Sequence, residues 1–233
     1  MCGRFFLKTT PELIESALLL DQCPEFSERY NIAPTNDILA VRRETHGRRE
    51  AVFLHWGLVP GWAKDKKIGH RTINARSETA SSKPAFREAF RRRRCVIPAS
   101  GFYEWRKRGK EKTTIAVRPK TGKLLVFAGL WDRWIGAGGE ELESCTILTT
   151  EPNAVMAKIH DRMPVILGVD ATEQWLDHDI DDIEQLESLL VPCADELIET
   201  SEVSRYVNRV GNEGPRCLAP AEPETGWLFP PEG

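Results

Sequence analysis

The sequence has no CxxC pair and no cluster of cysteine with histidine, although it holds six cysteines, at 2, 23, 95, 145, 193 and 217. That scatter excludes the ligand spacing of a zinc site and of a dithiol redox motif, and it points to a reducing cytosol. Long apolar runs are missing too. The longest, Leu124 to Trp131, is eight residues, well short of the ~20 that a membrane-spanning helix needs. The opening MCGRFFLK has no basic flank leading into an apolar stretch, so no secretory signal is read. Internal repeats are lacking, and helices do not alternate regularly with parallel-strand patterns. That argues against a doubly wound sheet.

What remains is a chain of 233 residues, 41% apolar and 29% charged, long enough to bury a core without disulfide staples. The net charge of −3 conceals an asymmetry. Residues 1 to 120 carry 25 Lys and Arg against 13 Asp and Glu, whereas residues 121 to 233 carry 7 against 22. Such sorting suits an electropositive face for a polyanion carried by the first half, or else an ordinary solvated surface.

Short strand-like runs dominate: Gly3 to Leu7, Ile38 to Arg42, Ala51 to Leu58, Cys95 to Pro98, Phe102 to Lys107, Thr113 to Arg118, Leu124 to Trp131, Cys145 to Thr149 and Val165 to Leu167. Helices are fewer. Thr10-Pro11 starts one that reaches about Leu20, and Lys83-Pro84 a second to about Arg94. Thr150 with Pro152 starts a third to about Lys158, and Thr172 to Leu176 and Asp182 to Leu190 make two more. The expected fold class is α+β, a single domain whose mostly antiparallel, barrel-like sheet is flanked by a few helices. A domain over 1–218 and a Pro-rich tail over 219–233 are expected.

Cys2 is the first candidate for chemistry. Removal of Met1 leaves a thiol and an α-amine on one residue. The amine titrates at about 7.7 to 8.0 against about 10.4 for lysine, so a usable fraction is neutral near pH 7 and attacks an aldehyde. Amine and thiol together close on one carbonyl carbon, first as a Schiff base and then as a five-membered thiazolidine. Alternatively, cysteine is simply a small residue tolerated after methionine.

Residues 71 to 78, Arg-Thr-Ile-Asn-Ala-Arg-Ser-Glu, form a polar stretch without amphipathic period. Asn74 can orient an amine or carbonyl there and Arg76 can grip a phosphate, unless the stretch is a plain surface loop. Strand alternation puts Phe102 and Glu104 on one face and Tyr103 and Trp105 on the other. If the Phe102 face is buried, Glu104 has a raised pKa and suits proton transfer; if it faces water, Glu104 is an ordinary strand carboxylate. His160, at the end of a predicted helix, gains a favoured cationic form from the helix dipole, or else caps beside an Asp161–Arg162 pair. Basic groups stand near aromatics at Lys64, Lys66 and Lys67 beside Trp62, and at Arg106-Lys107-Arg108 with Lys110 and Lys112. That mixture suits single-stranded nucleic acid. The run Arg91 to Arg94 reads instead as a solvated helix end, outside any site.

Taken in order, Cys2-Gly3-Arg4, Tyr30-Asn31-Ile32-Ala33-Pro34-Thr35, Trp56 to Trp62, Asn74-Ala75-Arg76-Ser77-Glu78, Cys95 to Pro98, Gly101 to Trp105, Ala128 to Trp131, His160 to Pro164, and Val203-Ser204 with Val207-Asn208 closely resemble the SRAP family (SOS response-associated peptidase, also described as abasic site processing proteins). The resemblance spans roughly residues 2 to 218. Thr113-Thr114 departs from it, standing where a Pro-aromatic pair is usual.

The resemblance implies that Cys2 captures the ring-opened aldehyde of an abasic site in single-stranded DNA, shielding the lesion. Asn74 would hold the amine, Glu104 would relay protons, and His160 would protonate the sugar oxygen. Arg4, Arg76 and Arg162 would meet phosphates, and Trp62 and Pro34 would stack or wedge against bases. No cofactor, metal or membrane is implied, and a cytoplasmic monomer is expected, nucleoid-associated if bacterial. The alternatives are a thiol peptidase that removes its own Met1, or a non-covalent reader of modified bases.

Overall fold

The structure is a computed structural model, described for residues 2–43, 47–109, 111–122 and 124–221. The tail expected from residue 219 lies outside the described residues beyond Ala221, as do Lys110 and the side chain of Arg108 in the basic cluster. In chain order the elements are β1 (Phe5–Leu7), α1 (Pro11–Leu18), β2 (Arg29–Ile32), β3 (Asp37–Arg43), β4 (Arg49–Trp56), β5 (Asn74–Arg76), α2 (Ser77–Ala80), α3 (Arg87–Arg92), β6 (Arg94–Ala99), β7 (Gly101–Arg108), β8 (Glu111–Pro119), β9 (Leu125–Ile135), β10 (Glu141–Thr150), β11 (Met163–Pro164), α4 (Val169–Leu176), α5 (Ile183–Ser188) and β12 (Ile198–Val203). No described helix is long and apolar enough to cross a membrane.

Two sheets result. One runs β12-β8-β7-β1-β2; the other runs β11-β10-β4-β3-β6-β9, and β9 pairs back onto β10. That last pairing, from Glu141↔Ile135 to Ile147↔Gly129, turns the second sheet into a closed ring and removes the exposed edges an open sheet would leave. Most pairings are antiparallel; β10 pairs in parallel with β4 and with β5. The fold is the α+β class expected, with a single barrel-like core.

The middle of the five-stranded sheet, β1 and the start of β7, is buried on both faces, and the period of two sorts its side chains. Phe5 and Phe102 enter the main core beside Trp56 and Phe127, whereas Phe6 and Tyr103 enter a second cluster with Val203, Val207 and Cys217. Phe5 packs edge-on to Trp56 at 5.3 Å and to Phe127 at 6.2 Å. Gly101 begins β7 at φ +157°, where a Cβ would stand 2.4 Å from both Phe6 Cζ and Val117 O. Only glycine fits that approach.

Several expectations change. The third helix shrinks to one 3-10 turn, Met156–Lys158. The polar stretch at 71–78 holds β5 and α2 instead of a loop. Arg94 is wholly buried, not solvated: its guanidinium donates to the carbonyls of Phe90, Arg91, Trp175, Asp177 and Ile180. All five donors of the planar fork are thus used, fastening α3 and α4 to the barrel.

Part of the charge asymmetry is matched by ion pairs within the fold. Arg29, Arg42, Arg43, Arg49, Arg93 and Arg106 pair with Glu213, Glu143, Asp177, Glu173, Asp132 and Glu202, each joining the basic half to the acidic half.

Candidate functional site

The site forms where the two sheets meet. Cys2, Gly3 and Arg4 lead into β1, which pairs with β7 at Phe5↔Phe102, and Tyr103 N–H donates to Arg4 C=O at 2.9 Å. This register carries Glu104 alongside the start of the chain. Cys2 is 0% exposed and Glu104 2%. Burial is the main cause that raises the Glu104 pKa, opposed in part by positive charge at the amino terminus and on His160. The buried-face alternative therefore holds: Phe102 and Glu104 share the inner face. Burial, reinforced by the Glu104 charge, also pushes the Cys2 thiol far up, so the thiol rests protonated.

From the second sheet, β5 lies parallel to β10 in the register Asn74↔Ile147 and Arg76↔Thr149. This parallel pairing turns the Asn74 amide toward Cys2, and Asn74 Nδ2 donates to Cys2 C=O at 2.8 Å. Among the described residues the Asn74 Oδ1 atom is buried without a hydrogen-bond partner, an acceptor available to an amine at the same place. On the opposite edge of β10, β11 pairs at Thr149↔Pro164 and Thr150↔Met163, which positions the preceding loop with His160.

His160 does not end an α-helix, so the dipole reading loses its basis. It follows a single 3-10 turn and is held by its own N–H to Met156 C=O at 2.8 Å. Its Nδ1 accepts from Arg162 N–H at 3.0 Å, with Asp161 Oδ1 2.9 Å away. Accepting at Nδ1 assigns the proton of the neutral ring to Nε2.

The four residues expected to act, Cys2, Asn74, Glu104 and His160, therefore converge, linked by hydrogen bond or by electrostatic coupling. The residues expected around them divide. Arg76 is exposed, and its guanidinium makes no hydrogen bond or ion pair among the described residues. Arg4 is only 8% exposed and donates from Nη1 to Asn31 Oδ1 and Val207 C=O. Arg162 is bound by both carboxylate oxygens of Glu78 and by Thr149 C=O. Trp62 is 61% exposed, its Nε1 donating to Pro84 C=O at 3.3 Å. Pro34, half-buried, precedes Thr35, a non-glycine residue at φ 71° whose N–H bonds to Trp56 C=O.

Two partners went unread in the sequence. Glu78 holds Arg162, and only its place four residues after Asn74 hinted at a role. Trp105, partly exposed, is flanked by the Arg4 guanidinium at 5.8 Å and Lys112 Nζ at 5.1 Å, with Nε1 donating to Asn208 Oδ1 at 2.7 Å.

Comparison with known proteins adds the lineage. Residues 1–210 match the family described as SOS response associated peptidase (SRAP). The chain belongs to the SRAP family. Among its SRAP relatives, the Bacillus subtilis protein named abasic site processing protein YoaM is 42% identical over 222 residues, spanning 94% of this chain and 97% of the other. Abasic site processing protein YoqW of the same organism is 41% identical, spanning 94% and 99%. A solved structure of a Bacteroides thetaiotaomicron protein superposes with a TM-score of 0.84 at 26% identity, over 95% of this SRAP chain and all of that one.

Proposed function

We propose that this protein processes abasic sites in single-stranded DNA by covalent capture through Cys2 after removal of Met1. The observation that carries the reading is the convergence on residue 2 of a buried carboxyl, Glu104, and of the Asn74 amide at 2.8 Å. A terminal aminothiol needs a carbonyl partner, and the ring-opened abasic sugar supplies an aldehyde. Relatives over nearly the whole chain are named for abasic site processing, which supports the same substrate.

The steps balance as follows. Opening of the hemiacetal to the aldehyde moves one proton from the C1 hydroxyl to the ring oxygen, and His160 relays it at Nε2, so the imidazole ends as it began. The neutral Cys2 amine, accepted by Asn74 Oδ1, adds to the aldehyde carbon; the carbinolamine loses one water and becomes an imine. Cys2 Sγ then adds to the imine carbon, and the thiol proton passes by way of Glu104 to the nitrogen. The product is a thiazolidine, and the net change is release of that one water. A carboxyl whose pKa is raised by burial suits both taking and returning a proton.

The thiol peptidase reading needs a thiolate to start. The Cys2 thiol is held protonated by burial and by Glu104, which favours an amine-first order. DNA contact is assigned to exposed groups: Arg76 for phosphate, and Trp62 and Trp105 for base stacking. Arg4 and Arg162 support the site from within. Incubating Met1-processed protein with an oligonucleotide containing one abasic site yields a heat-stable covalent complex on a denaturing gel. Absence of that complex, with the oligonucleotide demonstrably bound, refutes the capture reading.

A further inference from the structure

We propose that Glu78 is a positioning residue for His160, acting through Arg162 to fix which imidazole nitrogen carries the proton. The inference rests on the capture reading above for its catalytic consequence, but the coupling itself is independent of that reading.

Glu78 lies in the first turn of α2, immediately after β5 has delivered Asn74 and Arg76. Its two carboxylate oxygens grip Arg162 end-on, Oε2 accepting from Nη2 at 3.0 Å and Oε1 from Nη1. Arg162 Nη2 also donates to Thr149 C=O on β10. Arg162 is therefore tied to two elements that flank the site, and a bidentate carboxylate pair fixes direction as well as distance. The hydrogen bond to Arg162 holds the Glu78 carboxyl below the usual carboxylate range, so it is a dependable anion at neutral pH.

The consequence falls on the Arg162 backbone. Its N–H is the donor to His160 Nδ1 at 3.0 Å. Asp161 Oδ1 competes for the same nitrogen at 2.9 Å, and it would be satisfied by a proton on Nδ1. The two neighbours thus favour opposite forms: Arg162 N–H selects a ring protonated on Nε2, and Asp161 selects the other tautomer or the cation. Anchoring the Arg162 side chain to Glu78 and Thr149 holds its N–H in place and keeps Nε2 as the donor.

The test uses Glu78→Gln and Glu78→Asp in the full, Met1-processed chain, each checked for the wild-type circular dichroism spectrum. Long-range proton–nitrogen correlation spectra report the His160 tautomer, assigned with a His160→Gln variant. Single-turnover crosslinking at saturating abasic oligonucleotide reports the rate, and fluorescence anisotropy with undamaged single strand reports affinity. Glu78→Gln should move the His160 Nδ1 shift away from that of an unprotonated acceptor and slow the single-turnover rate by about tenfold or more. Affinity for undamaged strand should not weaken, and Glu78→Asp should restore both signals in part. An unchanged His160 tautomer in folded Glu78→Gln overturns the proposal, whatever the rate does. So does a rate loss matched by an equal loss of affinity, since Glu78 would then serve binding alone. If wild type forms no adduct, the capture reading fails, and the tautomer comparison still decides the coupling.

Discussion

Asn74 Nδ2 donates to the Cys2 carbonyl at 2.8 Å, joining the start of the chain to β5 across 72 residues of sequence. The same amide leaves Oδ1 buried and unpaired among the described residues, so one side chain both aims residue 2 and offers an acceptor for its amine. Asn74→Ala removes both contacts. A hydrogen bond of this kind contributes about 0.5–1.5 kcal/mol, and an orphaned buried partner costs about 1–3 kcal/mol more. Single-turnover crosslinking should therefore fall by about one to three orders of magnitude, and the melting temperature should fall by about 2–4 °C for each kcal/mol of that cost. Retention of the wild-type rate would remove Asn74 from the mechanism.

Glu104 is a carboxyl kept out of water at the cost of stability. Its folded pKa lies above the unfolded value because of burial. The sign follows from linkage: the stability it contributes is full below the unfolded value of about 4.3 and is lost as pH rises through the folded value. Glu104→Gln has no charge to desolvate. The variant should match wild type near pH 4 and melt higher at pH 8, by about 2–4 °C for each kcal/mol relieved in a chain of this size, while crosslinking is abolished. A variant that melts lower than wild type at pH 8 would show that the carboxylate is paired well enough to repay its burial.

The order of amine before thiol predicts distinct adducts. Cys2→Ser and Cys2→Ala keep an amine and lose the thiol, so each should give an imine that dissociates on heating unless trapped by borohydride. Chain that retains Met1 has no amine on Cys2 and should bind single strands without crosslinking. Intact mass identifies the processed fraction. An equally heat-stable adduct from Cys2→Ser would refute thiazolidine closure.

Arg94 predicts a structural effect of comparable size to the catalytic ones. Its five donors meet five backbone carbonyls, three of them from Trp175, Asp177 and Ile180 in and after α4. Arg94→Met leaves those acceptors buried without partners. Removing one side of a buried charged arrangement costs about 3–5 kcal/mol, read as a lower urea midpoint at an unchanged slope. Arg92→Met, at an exposed position where an i,i+4 contact to Glu88 is its one ion pair among the described residues, should leave the midpoint where it is.

The residues that carry chemistry were more legible than the elements that hold them. Cys2, Asn74, Glu104 and His160 stand out because their types are informative wherever they are placed. β5 was not legible: three residues show no alternation, and its pairing depends on β10, more than 70 positions away. β12, Ile-Glu-Thr-Ser-Glu-Val, buries only its two ends, so an edge strand reads as a polar linker. β2 lies in a polar run, and its buried Asn31 is explained by the carbonyls of Val207, Arg209 and Asn212 and by the Arg4 guanidinium that its amide meets. Arg94 looked solvated because four successive arginines resemble a helix end, and its carbonyl partners come from distant segments.

Charge composition misled in an instructive way, and the correction yields a salt prediction. Six arginines of the basic half are matched by carboxylates of the acidic half, so the surplus available to a polyanion is smaller than composition implies. Arg93, bound to Asp132 at 3.1 Å, is one of those matched; Arg76 is exposed and makes no ion pair among the described residues. Each phosphate neutralised on a single strand adds about 0.7 to the slope of log affinity against log salt. Arg76→Ala should therefore reduce the slope for undamaged single strand by about 0.7 and weaken binding uniformly across sequences. Arg93→Ala should leave the slope unchanged, because its charge is already neutralised within the fold. Equal slopes for wild type and Arg76→Ala would remove Arg76 from the phosphate contacts, and a reduced slope for Arg93→Ala would show that its pair with Asp132 opens when DNA binds.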